Sequence, residues 1–196
     1  MFTPSRSVQS LPRSRLNLPS DQLRVSIGDF ENVDIATGRA DALFSATAYH
    51  WISPTGQTDR PATILKPGGV LAIVDLIQVE SPNDRGFFAT QQIYDRYGQG
   101  HIGPSAPTRE NVMPPMGAVL DADDRFARVA VCKYDWDQTY SASEYRKLML
   151  SYSWTQMMDE RDRVGLLDDM ESFIRDAFDG QVTRPLVVSL TTAVLS

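Results

Sequence analysis

The sequence predicts an α/β fold with a mostly parallel sheet and a late antiparallel strand pair at its edge. Runs of strand length alternate with helical patterns along the chain, which is the signature of that class. The run Val70-Leu71-Ala72-Ile73-Val74 is apolar without interruption, as expected of a strand covered on both faces. Toward the C-terminus an alternating strand, two helices and a closing strand follow one another, which supplies the late pair.

Size and composition narrow the class further. The 196 residues, 42% hydrophobic and 22% charged, suffice for one domain with its own core. A net charge of −6 disfavours nonspecific attraction to nucleic acid or to an anionic membrane, both of which need an excess of Lys and Arg. A single cysteine, Cys132, excludes an intramolecular disulfide and a cysteine-rich zinc site, and fits a reducing, cytoplasmic setting. No metal site is expected, because the two histidines are far apart and no acidic cluster has ligand spacing.

Residues 1–20, rich in Ser, Pro and Arg, read as a flexible tail, and residues 21–196 as the domain. The first strand signal is Leu23-Arg24-Val25-Ser26-Ile27, stopped by Gly28-Asp29. A second strand is expected at Asp41–Ala46. The segment from Pro54 to Leu65 must cross between parallel strands, but Gly56 and Pro61 predict a short or broken helix. Lys66-Pro67-Gly68-Gly69 reads as a turn that aims the third strand.

Phe87, Phe88, Ile93, Tyr94 and Tyr97 approximate helical spacing, which predicts a helix over 82–97 ended by Gly98. Residues 99–124, with Pro104, Pro114 and Pro115, lack periodicity and read as a long irregular loop of lid type. Residues 126–134 alternate as a half-buried strand, with Phe126, Arg128 and Ala130 on one face and Ala127, Val129 and Val131 on the other. Ser141 with Glu144 forms a capping box ahead of one helix, and a second runs from about Asp159 to Phe178 before Gly180. Residues 185–195 close the chain as a strand.

Three motifs occur within this order: Gly28-Asp29-Phe30, the run from Ser45 to Trp51, and Leu65-Lys66-Pro67-Gly68-Gly69. Together they resemble the class I S-adenosylmethionine-dependent methyltransferases that act on small molecules, whose fold is Rossmann-like. The resemblance implies S-adenosyl-L-methionine as cofactor, with Asp29 at the adenine amino group and Phe30 packed on the ring. It implies that Ser45 and Ala46 line the methionine moiety, and that Tyr49, His50 and Trp51 stand between cofactor and substrate.

Plainer readings stand beside these. Gly28-Asp29 also serves as an ordinary turn, Tyr49 and Trp51 as core aromatics, and His50 either as a base or as a hydrogen-bonded surface residue. The Leu-Lys-Pro-Gly-Gly string is expected to build the scaffold without touching a ligand. Tyr94, Tyr97, the 99–124 loop, Tyr145, Tyr152 and Trp154 form either an aromatic substrate pocket or part of the core.

The sequence departs from the family at its start. No Gly-x-Gly precedes Asp29, whereas the family opens with a strand and a glycine-rich turn that lets the backbone approach the cofactor. The fold is therefore expected to be an incomplete version, with its normally central first strand missing between the strand ending at Asp29 and the one starting at Asp41. The leading expectation is methyl transfer to a small molecule, impaired in this chain. The alternative is a noncatalytic remnant that binds protein, as a homo-oligomer or through a strand-donating partner. A nicotinamide-dependent oxidoreductase fits less well, since it too needs the glycine loop and no Tyr-x-x-x-Lys is present.

Overall fold

The computed structural model describes residues 28–80, 87–100 and 105–196. The predicted tail over 1–20 and the predicted strand Leu23–Ile27 lie outside them. Four strands form one sheet: β1 (Ala40–Ala46), β2 (Leu65–Gln78), β3 (Phe126–Ser141) and β4 (Gln181–Leu195), in the order β1-β2-β4-β3. β1 and β2 are parallel, while β4 runs antiparallel to both β2 and β3. The α/β class and the C-terminal antiparallel pair are as the sequence predicts, but the described sheet is mixed, with parallel pairing confined to β1 and β2, because β4 carries antiparallel pairing inward onto β2.

The connection between the parallel strands is a 3₁₀ turn, Tyr49–Trp51, and helix α1 (Gly56–Ile64). Pro61 sits inside α1 without breaking it. Proline has no N–H to donate to the carbonyl four residues back, that of Gln57. The Tyr49 hydroxyl donates to that carbonyl instead. Tyr49 is buried, and its burial pushes the phenol above its ordinary range, so the hydroxyl keeps the proton it donates.

The Lys66–Gly69 segment is not a turn ahead of the strand but an irregularity within it. Ala40 pairs with Leu65 and Ala42 with Val70, so one strand advances two residues while the other advances five. Gly68 has φ +80°, and a Cβ on Gly69 would lie 2.8 Å from the Lys66 carbonyl oxygen and 3.1 Å from that of Ala40. Both positions need glycine for different reasons, one for its dihedral and one for space.

The remaining helices are α2 (Gln91–Arg96), preceded by a 3₁₀ turn at Phe88–Thr90, α3 (Pro115–Asp121), α4 (Ala142–Ser151), α5 (Ser153–Met157) and α6 (Glu160–Ala177). The helix expected over 82–97 is thus shorter, and residues 81–86 lie outside the described set. The stretch 99–124 is not irregular throughout: Pro114 is the N-cap of α3 and Pro115 its first residue, where a missing N–H costs nothing. The capping box at Ser141 and Glu144 forms as expected, as does the left-handed Gly180 after α6, with φ +77°.

In β3 the predicted alternation fails at its start. The register shifts between Ala127 and Ala130, and Arg128 has φ +52°. This bulge turns the following residues over, so Phe126 and Val129 pack into the same cluster instead of lying on opposite faces.

The two sheet faces differ. Leu71, Ile73 and Ala193 are buried on one face under α1 and α3, with Met116 and Leu120 of α3 in the same cluster. On the other face Val182 is buried with Tyr145 and Met149 of α4 and Leu166, Met170 and Ile174 of α6. Beyond that helical cap the second face is open among the described residues. Phe44 is 71% exposed, Tyr134 57% and Leu76 45%, and these project from the same side as Val74 and Val188. β1 also forms an edge of the described sheet.

Candidate functional site

Ligands of open α/β sheets bind beyond the carboxyl ends of the parallel strands. In this fold those ends are Ala46 of β1 and Gln78 of β2. The residues singled out in the sequence fall at or near the first of them.

Ser45 pairs with Ile73 and Ala46 with Val74, so both belong to the last turn of the pleat before the chain leaves the sheet. Thr47 follows with φ +51°, a left-handed conformation uncommon for a β-branched residue, and its N–H donates to the Val74 carbonyl at 2.8 Å. The chain then winds into the 3₁₀ turn. Tyr49 goes to the interior and to Gln57, so it supports the scaffold, while Trp51 is 75% exposed and His50 is also exposed. The His50 and Trp51 rings lie 4.9 Å apart, inclined at 44°. Of the three aromatic groups, His50 and Trp51 face outward from the sheet end.

Asp29 and Phe30 begin a tight turn. The Asp29 carboxylate accepts from the Glu31 N–H at 3.0 Å and from Asn32 Nδ2 at 2.8 Å. This is the turn geometry that Asp favours, and the exposed carboxylate keeps lone pairs for another donor. The turn is docked on the connection after β1. Glu31 accepts from the Ser53 N–H at 3.2 Å and from its hydroxyl. Arg60 of α1 donates to the Phe30 carbonyl at 3.1 Å and to that of Val33, and its guanidinium lies 6.0 Å from the Phe30 ring centre. Asp29 and Phe30 are thereby tied to the segment that follows Trp51, although neither forms a hydrogen bond or ring contact with Ser45 or Ala46 among the described residues.

Sequence reasoning passed over Asp75. It stands in β2 opposite Ser189 of β4, with Thr191 one pair away opposite Ile73. One Asp75 carboxylate oxygen, the Ser189 hydroxyl and the Thr191 hydroxyl are all buried without a hydrogen-bond partner among the described residues. Burial raises the Asp75 pKa, and the charge of His50 acts against that rise. The only sequence signal was that an acid ends an otherwise apolar strand, which also describes an ordinary strand terminus.

At the end of β2 lies a cavity of about 730 Å³. Tyr94, Tyr145, Tyr152 and Trp154 line it together with Ser105, Ala106 and Pro107 from the proline-rich stretch. The aromatic group expected from the sequence thus converges, except that Tyr97 turns away and donates to Asp169 at 2.9 Å. The Tyr94 and Tyr145 hydroxyls are 2.8 Å apart. Burial pushes both phenols up, Tyr145 to about 12, so the cavity presents them in their neutral form. Trp154 packs its ring 5.9 Å from both Tyr94 and Tyr152. Arg184 of β4 and Gln78 of β2 complete the wall, and neither had been singled out, because their convergence depends on strands distant in sequence.

No protein-family model matches the sequence, and no curated protein matches it. Solved structures do resemble the fold. A proposed type II methyltransferase of Anaeromyxobacter dehalogenans aligns over 91% of this chain and 72% of its own, at 14% identity and a TM-score of 0.52. A proposed methyltransferase of Bacillus halodurans aligns over 88% and 78%, at 17% identity and TM-score 0.48. A Haemonchus contortus phosphoethanolamine N-methyltransferase 2, solved with phosphomonomethylethanolamine and S-adenosylhomocysteine, aligns over 85% of this chain at 15% identity and TM-score 0.38. This chain spans only 36% of that enzyme's length. The first of these likenesses shows that the chain shares the α/β fold of that structure. Among the described residues no helix is long and apolar enough to cross a membrane.

Proposed function

We propose that this fold serves S-adenosylmethionine-dependent methyl transfer to a small molecule, and that these 196 residues alone do so poorly. The observation that carries the reading is the arrangement at the carboxyl ends of the parallel pair. The strained Thr47 and the outward His50 and Trp51 leave β1 on that side, and an aromatic-lined cavity opens past the end of β2. One is suited to a cofactor and the other to an acceptor.

The sulfonium is already a good methyl donor, so the protein's part is to align donor and nucleophile and exclude water. Asp29 and Phe30 would meet the adenine, Ser45 and Ala46 the methionine part, and His50 and Trp51 the boundary with the acceptor. The fit is partial. The exposed Asp29 carboxylate suits an amino group, but no Gly-x-Gly precedes Asp29 in the sequence to let the backbone approach the methionine portion. The lone exposed Cys132 fits a reducing cytoplasmic setting.

Saturation-transfer NMR with millimolar S-adenosylhomocysteine tests the reading. Transfer to the adenine protons that falls in Asp29→Ala and Trp51→Ala supports it; absence of transfer to the unaltered chain refutes it.

The open apolar face around Phe44, Leu76 and Tyr134, beside β1 at an edge of the described sheet, favours a second reading. A second copy or a strand from another protein would cover that face and pair with that edge. Sedimentation over a range of concentrations separates the two readings. Reversible self-association supports a binding role, whereas a monomer at every concentration removes the self-association form of it.

A further inference from the structure

Arg184 differs in its surroundings from Arg109, Arg125 and Arg146, and shares with Arg60 a set of neutral partners. Arg125 meets Asp59 at 2.8 Å and Arg146 meets Asp168 at 2.6 Å, while Arg109 is flanked by Asp135 and Asp137. Arg184 has no carboxylate within 4.0 Å among the described residues, although the chain carries 25 acidic side chains. Its partners are neutral. Nε donates to Gln78 Oε1 at 3.2 Å, Nη1 donates to the Tyr152 hydroxyl at 2.7 Å, and the guanidinium carbon lies 5.3 Å from the Phe87 ring centre. Nη2 has no hydrogen-bond partner among the described residues.

Those partners fix the guanidinium's direction without neutralising it. Gln78 is itself anchored, since its amide donates to the Pro185 carbonyl at 2.6 Å, and this leaves its oxygen for Arg184. The result is a half-buried, oriented cation in the wall of the aromatic cavity. A half-buried charge without a counterion is costly, and a neutral residue would link Gln78 to Tyr152 at less cost. Glu80, the one acid in the described lining, is exposed.

We propose that the cavity takes a small molecule with a planar apolar body and an anionic group, carboxylate or phosphate, and that Arg184 anchors the anion. Arginine suits both groups because its planar fork matches their oxygens in pairs. The Tyr94, Tyr152 and Trp154 rings supply the flat apolar walls for the body of the molecule. The inference rests on reading this cavity as the acceptor site, and it specifies the class of acceptor.

Calorimetric titration of the full chain with 3-phenylpropanoate, its uncharged amide and phenyl phosphate tests it without any cofactor. At least one anion is expected to bind about tenfold or more tightly than the amide. Which anion binds better distinguishes carboxylate from phosphate recognition. Arg184→Gln should bring the preferred anion to within about threefold of the amide, and Arg184→Lys should retain some of the preference as a point charge.

Equal binding of all three probes, a preference that survives Arg184→Gln, or no binding up to about 10 mM overturns the proposal. If Arg184→Gln does not fold, the comparison of acid and amide on the unaltered chain, together with Arg184→Lys, still decides. Loss of the charge preference leaves the methyl-transfer reading standing wherever S-adenosylhomocysteine still shows saturation transfer. Arg184-dependent anion binding without that transfer refutes the methyl-transfer reading alone.

Discussion

The hydroxyl of Tyr49 donates to the carbonyl of Gln57, the acceptor that Pro61 leaves open one turn further along α1. Tyr49, which the resemblance implies at the boundary of cofactor and substrate, is instead buried and repairs the helix that joins the parallel strands. Tyr49→Phe should cost about 1 kcal/mol by leaving that carbonyl unsatisfied. Restoring the backbone donor with Pro61→Ala should recover most of the loss, and urea denaturation of both single variants and the double variant measures the coupling.

Gly69 marks the point where β1 and β2 fall out of step, and a methyl group there would strike two backbone oxygens. Gly69→Ala is expected to destabilise the chain by about 2 kcal/mol. Gly68 has open space around it but a left-handed backbone, so Gly68→Asn should be tolerated better than Gly68→Val. Thermal melts of the three variants give the ranking.

Asp75 supplies a pH dependence whose sign can be stated in advance. Its folded pKa is raised by burial, so the protonated acid is the form the fold prefers. Its contribution is fully present below the unfolded value of about 3.9 and is lost as pH rises through the raised folded value. Asp75→Asn should therefore raise the melting temperature at pH 7 and have a smaller effect near pH 4. A pair of melting curves at each pH checks this, and a gain that is larger at low pH contradicts it.

The capping box of α4 gives a control whose own residues, Ser141 and Glu144, do not line the cavity. Ser141→Ala removes the acceptor for the Glu144 N–H and should cost about 1 kcal/mol, while probe binding in the cavity stays unchanged. Chemical denaturation and calorimetric titration with the three probes measure the two effects separately.

Much of the fold was legible because local chemistry marks it. The Val70–Val74 run, the Ser141 and Glu144 pair and Gly180 each announce an element or its end, and each does so in the structure. The failures come from context that a local pattern does not carry. Pro114 and Pro115 look like loop residues until one sees that they open α3. The bulge at Arg128 reverses the faces of β3 through one unusual dihedral angle.

The aromatic members of the cavity were foreseeable as a group, since Tyr145, Tyr152 and Trp154 lie close together in sequence. Arg184 and Gln78 were not, because they meet across β2 and β4 from positions far apart in the chain. Asp75 could not be told from a strand-ending acid without knowing that its neighbours Ser189 and Thr191 are buried and unpartnered among the described residues.

On the proposed reading the end of β1 faces the cofactor, while the glycine cradle that would give it affinity is not among these residues. Isothermal titration of S-adenosylhomocysteine into the 196-residue chain tests this most directly. A dissociation constant between about 0.1 mM and 10 mM is expected; binding at about 1 μM, or none in that range, would contradict this.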